Sequence, residues 1–155
     1  MKPLLLVVTH VAMLAIGFAI GVYTLPILLA PDAPSVATVD TAATAASFRG
    51  TFRRDLADSD ALHWGEGEVF VGAKTIALKG ELAPGPDYKL YLLPEFVETE
   101  SDFARVKAKS VRVGDVKTFT NFVVDVPASV DVAQYTTVLV WCERFSQFIT
   151  AAKYR

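Results

Sequence analysis

Cysteine is nearly absent: the 155 residues contain one, Cys142, so no intramolecular disulfide can form. Zinc centres built from several cysteines are excluded on the same ground, and no Cys-x-x-Cys-His occurs for covalent haem attachment. Histidine is almost as scarce, limited to His10 and His63. No Gly-x-Ser-x-Gly elbow, His-Glu-x-x-His helix or phosphate-cradling glycine loop is found. The carboxylates Glu66, Glu68, Asp87, Glu95 and Asp102 are scattered as loop-solvating residues rather than paired for acid–base work. These absences argue against a conventional enzyme. A net charge of −2 provides no electrostatic footprint for nucleic acid.

Charge is missing altogether from residues 3–31. A bilayer core needs about 20 apolar helical residues, and this run exceeds that. A secretory signal would have a shorter apolar region, about 7–15 residues, ending in a small-residue cleavage site. Here Leu28-Leu29-Ala30 runs directly into Pro31. The segment 1–30 therefore reads as an uncleaved transmembrane anchor. Lys2 precedes it and no basic residue follows until Arg49, which places the N-terminus in the cytoplasm and the rest in the periplasm or outside the cell. Gly17-Phe18-Ala19-Ile20-Gly21 has the spacing that lets membrane helices pair closely, although glycine is common in such helices anyway. Residues 31–46 are rich in Ala, Thr, Pro and Ser without apolar periodicity, and predict a flexible linker. The folded domain is expected over 47–155.

Within that domain short β-type runs alternate with turn signals. Alternation predicts strands over 48–53, 68–71 and 75–78, the last two forming a hairpin through Gly72-Ala73-Lys74. Pro84-Gly85-Pro86-Asp87 marks a turn before a strand at 88–93. Residues 94–105 read as an exposed acidic loop or short helical turn. An edge-type strand is expected over 107–113, where charge discourages sheet-to-sheet pairing. Further strands fall at 121–126 and 148–152. The pattern predicts an all-β fold: an antiparallel β-sandwich or squat barrel of seven to eight strands, preceded by one transmembrane helix.

The most apolar stretch of the domain, Thr137-Val138-Leu139-Val140-Trp141-Cys142, reads as a central strand covered on both sides. Alternation puts Val138, Val140 and Cys142 on one face, Leu139 and Trp141 on the other. Cys142 is either a buried thiol filling a core gap or a reactive one, and reactivity needs partial exposure and a positive neighbour such as Arg144. His63 reads as a loop histidine closing a turn. Together thiolate and imidazole could ligate a haem iron or a transition metal, if the fold brings them close.

Val138-Leu139-Val140-Trp141-Cys142 with Phe145 and Phe148, Gly85-Pro86-Asp87 followed by Leu90-Tyr91-Leu92, and His63 ahead of Gly65 and Gly67 resemble, in order and spacing, the DM-thirteen (DM13) domain. This is the DOMON-associated electron-transfer family, and the likeness spans 48–154. The resemblance implies an all-β extracytoplasmic module with a characteristic cysteine, used as a bare redox thiol or to hold a prosthetic group such as haem. By this resemblance Cys142 is that residue. Where the family has a Gly-x-Gln-x-Tyr-like stretch ahead of a proline, this chain has Thr120-Asn121-Phe122-Val123-Val124 ahead of Pro127.

Two readings follow. One is a membrane-anchored extracytoplasmic redox module centred on Cys142, with a redox protein as partner and Cys142 and His63 as cofactor-binding candidates. The other is a non-catalytic binding or adhesion sandwich with a structural cysteine, using loops at His63-Trp64 and 94–105. A homodimer through Gly17 and Gly21, or through a Cys142 disulfide, is a further expectation; the disulfide requires an exposed thiol.

Overall fold

In the computed structural model, which describes residues 2–155, an apolar helix leads into a two-layer β structure. Helix α1 (Lys2–Leu29) is long and apolar enough to span a membrane or act as a signal sequence, and none of its residues is buried. Eight strands follow among the described residues: β1 (Phe48–Phe52), β2 (Gly65–Val71), β3 (Thr75–Leu82), β4 (Tyr88–Leu93), β5 (Val111–Val116), β6 (Thr120–Asp125), β7 (Thr137–Cys142) and β8 (Gln147–Lys153). They form two antiparallel four-stranded sheets, ordered β1-β2-β3-β6 and β5-β4-β7-β8. Of the two expected architectures this is the sandwich.

All six residues of β7 are buried, and the strand lies inside its sheet between β4 and β8. Its two faces divide as the alternation requires. Val138, Val140 and Cys142 join the core between the sheets, with Val69, Leu78, Leu90, Phe122 and Ile149. Leu139 and Trp141 join a second cluster on the outer face, with Tyr91, Leu93 and Phe103. A helix covers that outer face.

This helix is α3 (Glu100–Val106), the helical one of the two alternatives, exposed loop or short helical turn, that the sequence leaves for 94–105. Thr99 caps it by accepting from Asp102 N–H, and Phe103 and Val106 are buried one turn apart. Residues 94–105 therefore roof the second cluster, with Val97 and Phe103 packed inside it. Lys107–Lys109 continue as a 3₁₀ turn, so the edge strand β5 begins only at Val111, later than the charge alternation predicts.

The flexible linker expected over 31–46 is also corrected. Helix α2 (Val36–Ala45) occupies most of it, capped by Ser35, whose hydroxyl accepts from Thr38 N–H. Val39 and Ala43, four residues apart, pack on Phe70 and Ala77 of the first sheet. Lys79 Nζ also meets Asp40 at 2.8 Å. The chain thus leaves α1 and docks at once on the sandwich.

Candidate functional site

Cys142 ends β7, opposite Tyr88 of β4 and Gln147 of β8. The tight β7–β8 connection, with Ser146 at φ 52°, brings the backbone N–H groups of Phe145 and Arg144 toward the sulfur, and Asp87 presents a third. Glu143 N–H donates to Asp87 C=O at 3.0 Å and ties this connection to the 84–87 turn. The residue is only 2% exposed. Burial pushes the thiol above its ordinary 9.0, and the three backbone donors oppose this without overcoming it. Arg144 acts on the sulfur through its amide.

His63 closes a turn, as expected of it. Asp60 Oδ1 accepts from the Leu62 and His63 amides at 2.7 and 2.8 Å, and Asp60 Oδ2 lies 2.9 Å from His63 Nδ1. The hydrogen bond from His63 holds Asp60 below the usual carboxylate range. With Nδ1 so engaged, Nε2 is the ring nitrogen left for another partner.

One apolar cavity of about 300 Å³ is lined by both Cys142 and His63. The structure thus brings the two sequence candidates to a single site. Tyr88, Ile149 and the Pro84–Pro86 turn complete the domain side, and Phe18, Ala19, Val22 and Tyr23 of α1 form the opposite wall. Tyr88 was not singled out by the sequence. Its hydroxyl donates to Ala83 C=O at 2.8 Å, and burial, then the adjacent Cys142, raise its pKa.

A haem held by Cys142 and His63 does not fit these residues. The cavity that Cys142 and His63 share is at the lower limit of small-molecule pockets and by itself smaller than a porphyrin needs, and burial favours the neutral thiol over the thiolate that iron would take. Among the described residues no group of three or more His, Cys, Asp or Glu side chains could hold a metal ion. The exposed thiol that a Cys142–Cys142 bridge needs is also not present.

Beneath α3 lies a second polar-aromatic group. Tyr91 Oη donates to Glu143, and Lys107 Nζ binds both Glu143 carboxylate oxygens at 3.0 Å. Lys107 also sits 5.6 Å from the Trp141 and Phe103 ring centroids. This group locks the start of the β7–β8 connection, and hence the amides around Cys142, to the outer face of the sheet.

The titrating groups make a pH prediction. Cys142, Tyr88 and Tyr154 are acids whose folded pKa is raised by burial above ordinary values of 9.0, 10.0 and 10.0. Their neutral forms support the fold, so this stability is complete below the unfolded pKa and is lost as pH rises through the folded one. Thermal unfolding followed from pH 8 to 11 should show a falling Tm that begins near pH 9. Cys142→Ala should flatten the first part of that fall, worth roughly 1 kcal/mol for each pH unit.

The family described as Electron transfer DM13 matches residues 52–154 of the chain. No curated protein and no solved structure gives a match.

Proposed function

Because the chain belongs to the DM13 electron-transfer family, we propose that it is a membrane-anchored extracytoplasmic electron-transfer module whose redox group is the Cys142 sulfur. Helix α1 holds it in the bilayer, and Lys2 ahead of the apolar run orients the N-terminus to the cytoplasm. The observation that carries the reading is that the only cysteine ends the central strand and lines an apolar cavity with His63, while nearby backbone N–H donors partly offset the burial of its sulfur. Those donors lower the cost of negative charge on sulfur, which the attacking thiolate must carry.

With one cysteine, the electron pair must be exchanged with a second molecule. The Cys142 thiolate attacks a disulfide RSSR, forming the Cys142–SR bond and breaking the S–S bond. RS⁻ leaves and takes the thiol's proton. A thiolate R′S⁻ of a different donor then attacks the SR sulfur, releasing Cys142 and RSSR′, and a second R′S⁻ converts RSSR′ to R′SSR′ and RS⁻, so that two electrons pass from the donor thiols to RSSR. The raised thiol pKa makes this slow near neutrality and faster as pH rises.

A small uncharged couple tests the proposal. The full chain in nanodiscs is equilibrated with reduced and oxidised 2-mercaptoethanol, and the native protein is analysed by mass. One reversible mercaptoethanol adduct at Cys142 is expected, with its rate rising roughly tenfold per pH unit between pH 7 and 9. The second reading, a binding module with a structural cysteine, is favoured by the 2% exposure of Cys142. A thiol that stays unmodified until the chain is denatured would select it.

A further inference from the structure

The Cys142 cavity lies between the domain and the helix that anchors it, which fixes its depth relative to a bilayer. The apolar run starts at Pro3, and a span of about 20 residues crosses about 30 Å of hydrocarbon. Counted from Pro3, the span ends at Val22. The helix residues lining the cavity are Phe18, Ala19 and Val22, in the last turn and a half of that span, and Tyr23 just beyond it. With Lys2 held among the cytoplasmic headgroups, Pro3 opens the span, and this register puts the cavity level with the outer boundary between hydrocarbon and headgroups.

Two other features agree with this placement. Leu62 and Phe145, on separate loops at the cavity, are 54% and 51% exposed, whereas the next most exposed large apolar side chain of residues 47–155, Phe96, is at 37%. Both sit beside α1, at the level where apolar side chains would enter the interface rather than water. An adjoining cavity of about 690 Å³ shares Phe18, Val22 and Tyr88, and reaches Lys117 and Arg144. No ion pair among the described residues holds either of these cations, and lipid phosphates lie at their depth.

We propose that this cavity is a binding site open to the bilayer, and that its ligand is an uncharged, membrane-partitioning molecule with a ring-sized head, of the alkyl-quinone type, which enters laterally from the lipid. The apolar lining and a volume of about 300 Å³ suit one ring, and His63 and the Cys142 thiol are the polar groups that can meet its oxygens. The alkyl chain runs along the helix side of the adjoining cavity, past Phe18, Val22 and Leu25, away from its charged rim at Asp87, Lys89, Asp115, Lys117 and Arg144. The inference rests on the anchor reading and is independent of whether Cys142 is redox-active.

The experiment uses the full chain in phosphatidylcholine nanodiscs, with Cys142 alkylation as the readout. Retention in membranes through an alkaline carbonate wash, with residues 2–29 present by mass, tests the anchor separately. N-ethylmaleimide should label native Cys142 at least tenfold faster than a sulfonated maleimide, each rate normalised to the denatured chain. A decyl benzoquinone fully substituted on its ring, and so unable to add the thiol, should slow N-ethylmaleimide at least fivefold. Val22→Trp fills the cavity from the helix side without touching the sandwich core, and should abolish quinone protection. Leu28→Trp, on a residue 78% exposed and outside the cavity, should retain it. Equal labelling by the two maleimides, no labelling by either in the native state, no protection by the quinone, or protection that survives Val22→Trp would each overturn the proposal. A stable anchor with no quinone effect defeats the site alone. A chain released by carbonate defeats the premise.

Discussion

Cys142→Ala is expected to abolish thiol–disulfide exchange completely while the domain remains folded. The sequence offers no other thiol, so no residual activity can come from a neighbouring cysteine. The structural cost is modest. Removing one sulfur from a site that already borders a cavity leaves a small additional void, worth about 1 kcal/mol. A domain of this size has about 5–15 kcal/mol to lose. Circular dichroism melts should show a Tm lowered by about 4–8 °C, and exchange measured with 2-mercaptoethanol should fall to the background of a chain without cysteine. If Cys142 were only a core residue, the melt would shift in the same way, but the wild type would show no exchange to lose.

The largest effect on stability is expected at Gly80→Ala. Gly80 pairs with Gly67 across β2 and β3, and the two backbones approach too closely for a side chain. A Cβ on Gly80 would lie 2.0 Å from Glu66 O and 2.8 Å from Gly67 Cα. Both obstacles are backbone, so relief requires moving β2 itself. Gly67 is also held at φ +124°, which favours glycine, so the partner strand has little freedom to yield. The expected loss is about 4 kcal/mol or more, in the range kept for broken packing or strained backbone. That corresponds to a Tm lower by about 15 °C or more, or to a chain that fails to fold. Gly17→Ala in α1 is the control, because an added Cβ there meets nothing within 4 Å and no loss is expected.

The parts of the fold that were legible in the sequence are those set by alternation. The faces of β7 follow from its period of two, and both faces are covered because both are apolar. The turn at 84–87 and the hairpin at 72–74 were equally legible, because Pro and Gly carry their own backbone preferences. Helix α2 was not, and α3 was legible only as one of two alternatives, an exposed loop or a short helical turn. Helix α2 buries only Val39 and Ala43, too narrow a stripe to stand out in an Ala- and Thr-rich run. Its one local signal is the Ser35 cap. Helix α3 had a clearer signal in Thr99 followed by Glu100 and Asp102, but the acidic composition that helps its N-terminus also resembles a solvated loop.

The candidate site divides in the same way. Cys142 could be found by elimination, and the Asp60–His63 turn has a local spacing of three. Their shared cavity is assembled from α1, the 59–64 loop, the 84–87 turn and the β7–β8 connection, whose lining residues lie as far apart in the chain as Phe18 and Phe145. No pattern in the chain encodes that meeting. The amide donors around the sulfur are equally hidden, since they depend on how one turn is bent rather than on which residues occupy it.

The central claim, that Cys142 is a redox group, is tested most directly in membranes from cells producing the full chain. After an acid quench, free thiols are blocked in denaturant, reversibly oxidised ones are reduced and tagged with a heavier reagent, and the Cys142 peptide is read by mass. The account predicts a heavy-tagged fraction that grows when the medium is made more oxidising and shrinks when it is made more reducing. A Cys142 peptide carrying only the first tag under every condition would contradict it.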